Sequence, residues 1–477
     1  EGNEIYSPAT EYGEVTAYEW ETDRGATDQI LYPPTPARLT KTDFGYLSDL
    51  GKETVGYLHL EAECEKDTVL TVSYGEHLEC GRVPRIIDGR DFSVTVKCRK
   101  GKNIFDGLFR RLAGRFIEVA GEAATVTSLT LSPVERNVKK KARIFDDPDF
   151  QKIYDISVYT LLCSMHDHYE DCPWREQALY TLDSRNQMLC GYYAFEGFGF
   201  QRQNLTLIAK GLHNGILSLC FPMRGGKIAI PFFSLIYPIQ VMEYVRYSGD
   251  KTILDEVGGV IRTIMNTFSA RVESNGLISA FPYPYWNFYE WTDGSDNAGD
   301  ISRTEQEPLL NCAYILAARA CDELFGTETD TAATVKGLRE NLFDRERGVF
   351  RLSSADNRSS VLCNAIAISA GAGDERLAEK TVTDTTLIPV SLSMCTYYYD
   401  ALLLYGDRYH DFILGDIKRK YMNMVNAGAT TFWETELGAS DFGGAGSLCH
   451  GWSAIPVYYL CLLEKNKCFF EEKELQK

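Results

Sequence analysis

The chain has 477 residues, 44% of them hydrophobic, and a formal charge of −18 from 67 acidic and 49 basic side chains. That length exceeds one ordinary core, so two or more structural units of a soluble globular protein are expected. The charge argues against nucleic acid and anionic membranes as partners, because neither can be held without a surplus of Lys and Arg to neutralise phosphate.

The first thirty residues are polar and acidic with no apolar core, so no secretory leader is expected. Fourteen cysteines run from Cys64 to Cys468 without one CxxC pair. This denies zinc-ribbon and thioredoxin spacings and suits buried thiols in a reducing compartment, so a cytoplasmic location is expected.

From about Gly56 to Leu131, segments such as YLHLEAE, TVLTVSYGE, DFSVTVKC and GRFIEVAG place apolar or β-branched residues at every second position. With weaker strands before Gly56 they predict a β-sandwich domain over residues 1–140. The stretch ERNVKKKAR, Glu135 to Arg143, reads as a solvated basic link.

After Asp146 the period becomes helical, in PDFQKIYDISVYTLLCSM, FFSLIYPIQVMEYVRYSG, PLLNCAYILAARACDELFG and others. The most apolar window, Ile228 to Val245, contains Pro231, Pro238, Gln240 and Glu243 and predicts a buried helix rather than a membrane span. Met242 to Phe268 and Tyr399 to Val425 share one plan, an aromatic-rich helix, a Gly-Asp stop and a second helix. Repeated helical hairpins over residues 141–477 predict a closed α/α toroid, with function at the end that carries the long loops.

Three such loops hold unusual chemistry. Loop one, YEDCPWREQALYTLDSRNQML from Tyr169 to Leu189, gathers Glu170, Asp171, Glu176 and Asp183 around Pro173, Trp174 and Arg175. Asp171 to Leu182 reads as ordered loop, with Asp183-Ser184 capping the next helix. Loop two, Pro282 to Asp296, alternates Tyr283, Tyr285, Trp286, Tyr289 and Trp291 with Glu290, Asp293 and Asp296. Aromatic faces beside carboxylates suit a sugar, whose C–H faces stack while its hydroxyls donate, although core aromatics at a helix crossing have the same composition. Loop three, Thr430 to Ala454, holds Trp433, Glu434, Glu436, Asp441 and His450.

Its glycines lack the Gly-Lys-Ser/Thr of a phosphate loop, and Ser447, His450 and Asp441 lack a nucleophile elbow. In HDHYED, His166 and His168 stand two apart and do not share a helix face, so no metal site is expected. No cofactor is expected either. Carboxylates from loops one and three then remain as a pair for acid and base work on a glycosidic bond.

DCPWRE, followed seven residues after its Glu by Asp183, resembles the DCPxRE signature of bacterial α-L-rhamnosidases, glycoside hydrolase family 78. TTFWE is similar to that family's Trp-Glu motif and SLCHGWSA to its His-containing segment. DLGKETVGYLHLEAE, SYGEHL and GRFIEV are similar to its preceding β-sandwich. The resemblance covers roughly residues 45 to 465 and implies an N-terminal β-sandwich followed by an (α/α)6 barrel with an inverting mechanism. It implies Glu176 as general acid and Glu434 as general base, with Glu436 the rival base. It also implies that Asp171, Arg175, Tyr180, Asp183, Glu290, Trp291, Trp433 and His450 line the sugar site, with Asp171 and Asp183 as anions beside Glu176.

Tyr180 and Leu182 replace a Trp and a Gly of the family pattern, and Glu290 an Asp, so the resemblance supports the reaction better than it supports L-rhamnose as the sugar. The family's C-terminal β-sandwich is expected to be absent. The expected partner is a small glycoside or oligosaccharide. A carbohydrate-binding relative with weak activity, a polysaccharide lyase and a phosphorylase are the alternatives. The lyase needs a Tyr or His base and a uronate that this acidic chain repels, and the phosphorylase an Arg or Lys cluster that loop three lacks.

Overall fold

The computed structural model describes residues 28–121, 123–223, 229–297 and 304–470. The first 27 residues of the expected sandwich, and with them the leader reading, lie outside the described residues.

The alternating segments form one antiparallel network of seven strands. They are β1 (Gln29–Leu31), β2 (Arg38–Thr42), β3 (Gly45–Cys64), β4 (Thr68–Gly75), β7 (Ser93–Cys98), β8 (Gly101–Ala120) and β9 (Ala124–Arg136), with a small hairpin of β5 (Ile86–Ile87) and β6 (Arg90–Asp91) beside it. The order is β1-β9-β3-β8-β4-β7, with β2 also on β3. Two weak strands before Gly56 are thus present as β1 and β2, and β3 itself begins at Gly45. β3 and β8 pair from Gly45 opposite Ala120 to Cys64 opposite Gly101, with register shifts between Asp49 and Thr54 and between Tyr57 and His59. Such bulges bend a long strand and increase its twist. Leu58, Leu60, Leu70, Val72, Leu112, Ile117, Leu129 and Leu131 fill the core beneath.

The basic link is not merely solvated. Lys141–Phe145 forms strand β10 against Asn466–Phe470, and the Lys141 ammonium donates to the Tyr192 carbonyl at 3.0 Å. Lysine stems along a strand carry their charge to a partner while the backbone pairs, which composition alone does not reveal.

Twelve α-helices follow among the described residues, from α1 (Pro148–Cys163) to α12 (Pro456–Leu463). Asp147 caps α1 by accepting from the amides of Asp149 and Phe150, with Pro148 preset for the first turn. α4 (Pro231–Ser248) ends at Gly249 with φ of 72°, the left-handed stop expected from the hairpin pattern, and α6 (Pro308–Phe325) ends in the same way at Gly326 with φ of 67°. α2 (Thr181–Ala194), α4, α6 and α8 (Val361–Ser369) are buried nearly all round, which marks inner helices. α5 (Ile253–Ser269) buries one stripe, Ile253, Val257, Ile261, Ile264 and Phe268, and so lies outside them. In sequence α2 packs on α4, α4 on α6, α6 on α8 and α8 on α10 (Cys395–Leu403), while α12 packs on α2. Tyr459 of α12 donates to the Thr396 carbonyl of α10 at 2.9 Å. No helix among the described residues is long and apolar enough to cross a membrane.

The core under the sheet also takes in Cys163, Trp174, Ala445 and Cys449. The helical part therefore presents loops one and three to the sheet, and the β part becomes a wall of whatever those loops build.

Candidate active site

Loop one is drawn outward by its tryptophan. Trp174 stacks on Phe92 next to β7, with ring centroids 4.3 Å apart and 25° between planes. Gln177 turns the chain at φ 54°, so that Leu179–Tyr180 pairs with Cys220–Phe221. Asp171 closes the loop on itself. Its amide donates to the Ala178 carbonyl and its Oδ1 accepts from the Ala178 amide, both at 2.9 Å. The helix then begins at Thr181, two residues earlier than the expected Asp183 cap, with Tyr180 in the cap position and no side-chain bond. Asp183 instead lies in the first turn, where unpaired amides favour a carboxyl group.

Arg175 is the hub. Its Nη2 donates to Glu434 Oε1 at 3.0 Å, its Nη1 to the Ala445 carbonyl at 2.6 Å, and its Nε lies 3.3 Å from Glu176 Oε1. One guanidinium thereby joins the two carboxylates that the sequence motifs single out, 258 residues apart. Glu434 is 3% exposed and Glu176 22%, so only the second opens to solvent. Tyr180 donates its hydroxyl to Glu176 Oε2 at 2.8 Å. Glu434 Oε2 accepts from the Ser447 amide at 3.1 Å, and its carbonyl accepts from the Trp452 indole at 3.0 Å. The Gly451 amide donates to the Asp171 carbonyl at 2.6 Å, and His450 Nε2 lies 4.0 Å from Asp183 Oδ1.

Burial raises the pKa of Glu434, while Arg175 and the Ser447 amide oppose the rise and favour the carboxylate. Asp171 and Asp183 were expected as anions. Burial first, then the charge of Glu176 and other nearby carboxylates, holds both well above the usual carboxyl range and favours their protonated forms. They suit donation to a substrate hydroxyl oxygen more than repulsion of a neighbour. His450 is driven well below its ordinary value by burial and then by Arg175, so it stays neutral, stacked on Trp452 at 3.8 Å.

Loop two contributes an aromatic wall. Trp291 packs against Phe288 at 4.8 Å, Trp286 at 5.9 Å and Phe442 of loop three at 5.0 Å. Phe442 in turn lies 5.8 Å from the Arg175 guanidinium. Trp433 is half-buried, and its carbonyl accepts from Ser453 Oγ at 2.6 Å. Glu290 is fully buried, with one oxygen accepting from the Ser391 amide at 2.8 Å and the other without a partner. Burial, opposed by the Ser391 contacts, lifts its pKa to about 7.

The structure separates other candidates. Glu436 is exposed and faces Arg419 at 3.6 Å, away from the Arg175 cluster. Ser447 Oγ bonds Glu76 and the Cys449 carbonyl, and Asp441 caps a short turn, so no Ser-His-Asp array exists here. The loop-three glycines serve close packing. A Cβ on Gly446 would stand 2.1 Å from the Gly438 carbonyl oxygen. We expect Gly446→Ala to lower activity at least tenfold by displacing Ser447, and kinetics with aryl glycosides check it.

Glu170 reads as a surface residue from sequence and is not one. It is 2% exposed, paired to Arg111 of β8 and 3.2 Å from His166 Nδ1. Among the described residues, no group of three His, Cys, Asp or Glu side chains is arranged to hold a metal ion. Sequence reasoning also passed over Glu76 and Phe442, and weighed Ser447 only as a nucleophile. For Glu76 a signal existed: it continues the buried alternation Leu70, Val72, Tyr74, and an acid in that register needs a partner.

Residues 144–351 match the family described as bacterial α-L-rhamnosidase six-hairpin glycosidase domain. Glu176, Asp183 and Glu290 fall inside the match, whereas Glu434 and His450 lie beyond it. Among solved structures, a Klebsiella oxytoca rhamnosidase with rhamnose bound superposes with a TM-score of 0.77 at 19% identity, over 92% of this chain and 97% of that one. A family 78 rhamnosidase of Bacillus sp. GL1 gives 0.76 at 20% identity, over 90% of this chain and 48% of that one. A Streptomyces avermitilis α-L-rhamnosidase complexed with L-rhamnose gives 0.68 at 16%, over 91% and 43%. The chain thus spans about half the length of the Bacillus and Streptomyces proteins. No curated protein matches.

Proposed function

We propose that this chain is an inverting glycoside hydrolase that releases a terminal α-L-rhamnosyl, or a similar deoxy-sugar or pentosyl, residue. The observation that carries the reading is Arg175 joined to both Glu176 and Glu434, one open to solvent and one buried. Glu176 gives its proton to the glycosidic oxygen as the C–O bond breaks. Glu434 takes a proton from the water that attacks the anomeric carbon from the opposite face. Asp171, Asp183 and His450 present donors and acceptors to sugar hydroxyls, while Trp291 and Trp433 offer apolar faces. The helix contacts from α2 round to α12 support an (α/α)6 barrel, with a β-sandwich ahead of it and the division near residue 140.

Turnover of a panel of aryl glycosides that includes p-nitrophenyl α-L-rhamnoside tests the activity. Saturable sugar binding without turnover of any member would instead favour a binding protein. Proton NMR of the first-formed anomer tests the stereochemistry, since retention excludes the inverting pair. We expect Glu176→Gln to lower kcat by roughly 10²–10⁴-fold on a poor leaving group and far less on dinitrophenolate, which needs no proton to depart. Equal losses on both substrates would remove Glu176 from the acid role.

A further inference from the structure

The carboxyl of Glu76, one residue past the end of β4, reaches out of the β part into loop three. Its Oε2 accepts from the Leu448 amide, and its Oε1 lies 2.9 Å from Ser447 Oγ. The same Ser447 supplies the amide that donates to Glu434 Oε2 at 3.1 Å. Ser447 Oγ also lies 3.0 Å from the Cys449 carbonyl and accepts from the Cys449 amide at 3.2 Å.

A hydroxyl has one hydrogen, and a carbonyl oxygen only accepts. If Ser447 gives its hydrogen to the Cys449 carbonyl, Glu76 Oε1 must supply the other hydrogen, so all four contacts are satisfied together when Glu76 carries a proton. We propose that Glu76 is a neutral positioning residue, a protonated acid lent by the β domain that fixes the Ser447 turn and thereby the amide that holds the base Glu434. Burial lifts its pKa to about 8, which agrees with this arrangement. A neutral acid orients the loop without setting a second negative charge beside Glu434. The catalytic part of this inference rests on the reading of Glu434 given above.

Three variants test it. With the aryl glycoside that the wild type turns over, Glu76→Ala is expected to lower kcat about 30- to 100-fold while KM and rhamnose binding stay within threefold, since the turn and not the sugar pocket is lost. Glu76→Gln, neutral and able both to donate and to accept, is expected to restore most of that rate. Wild-type kcat in Glu76→Ala would overturn the positioning role, as would a parallel loss of sugar binding. Failure of Glu76→Gln to restore the rate would overturn the neutral acid.

Hydrogen exchange separates this inference from the assignment of activity. Amides of residues 434–450 should exchange at least tenfold faster in Glu76→Ala, and near the wild-type rate in Glu76→Gln, whether or not any glycoside is cleaved. Unchanged exchange there sinks the inference. If Glu76→Ala does not fold, Ser447→Ala removes the same link from the other side and is read by the same exchange and kinetic criteria.

Discussion

Replacing Glu434 by Gln is expected to lower kcat by roughly 10²–10⁴-fold while the product sugar still binds, because an amide cannot take the proton from the attacking water. The contacts of Glu434 are those of a group held ready. Arg175 and the Ser447 amide stabilise its charged form against a burial of 97%. Glutamine keeps the size and one acceptor, so the fold and the Arg175 contact should survive. Glu436→Gln is the paired control, expected within twofold of wild type because that side chain is exposed beside Arg419. A near-normal rate in Glu434→Gln together with a loss in Glu436→Gln would reverse the assignment. Steady-state kinetics and product binding by calorimetry decide between them.

The largest expected effect on stability lies one residue before the motif. Arg111→Leu leaves Glu170 buried without its cation, and breaking such a pair costs about 3–5 kcal/mol. The double variant Arg111→Leu/Glu170→Leu is expected to recover most of this, because no charge is then left stranded in the interior. Denaturant titration of the three proteins measures both figures. Recovery no greater than in Arg111→Leu alone would show that packing, not charge, is at stake.

The same pair sets a pH dependence. Burial pushes the Glu170 carboxyl upward, but Arg111 and then His166 outweigh it and hold the pKa at about 2, below the ordinary 4.5. A carboxyl lowered on folding stabilises above its unfolded value and loses that contribution as pH falls through its folded one. About 3 kcal/mol is therefore present above pH ~4.5 and lost between there and pH ~2. In Arg111→Leu acid unfolding should begin at higher pH, as followed by circular dichroism.

Much of this molecule is legible in one dimension. Period-two alternation marks β3, β4, β7 and the far end of β8, because one face of each strand must be dry. Glycines after aromatic helices mark the hairpin stops at Gly249 and Gly326, because only a residue without Cβ takes that conformation cheaply. The motifs DCPWRE and FWE already named the two carboxylates. The helix start missed Thr181 by two residues because Asp183 is a good cap in isolation, yet tertiary burial keeps its carboxyl inside the first turn.

Spatial partnership was not legible. Glu170 and Glu436 are both acids beside a motif, and nothing local separates the one ion-paired in the interior from the one exposed at the surface. Asp171 and Asp183 read as anions until their surroundings remove the water that would hold the charge. The sequence by itself determined the order of β and helical parts, the hairpin pattern and the two carboxylates proposed as the acid–base pair, because those depend on spacing and residue chemistry along the chain. Only the tertiary structure decided that Arg175 joins Glu176 to Glu434 and that Glu76 of the β part reaches the turn behind Glu434. Hydrogen bonds across hundreds of residues, and the charge states they permit, depend on which groups folding brings together away from water.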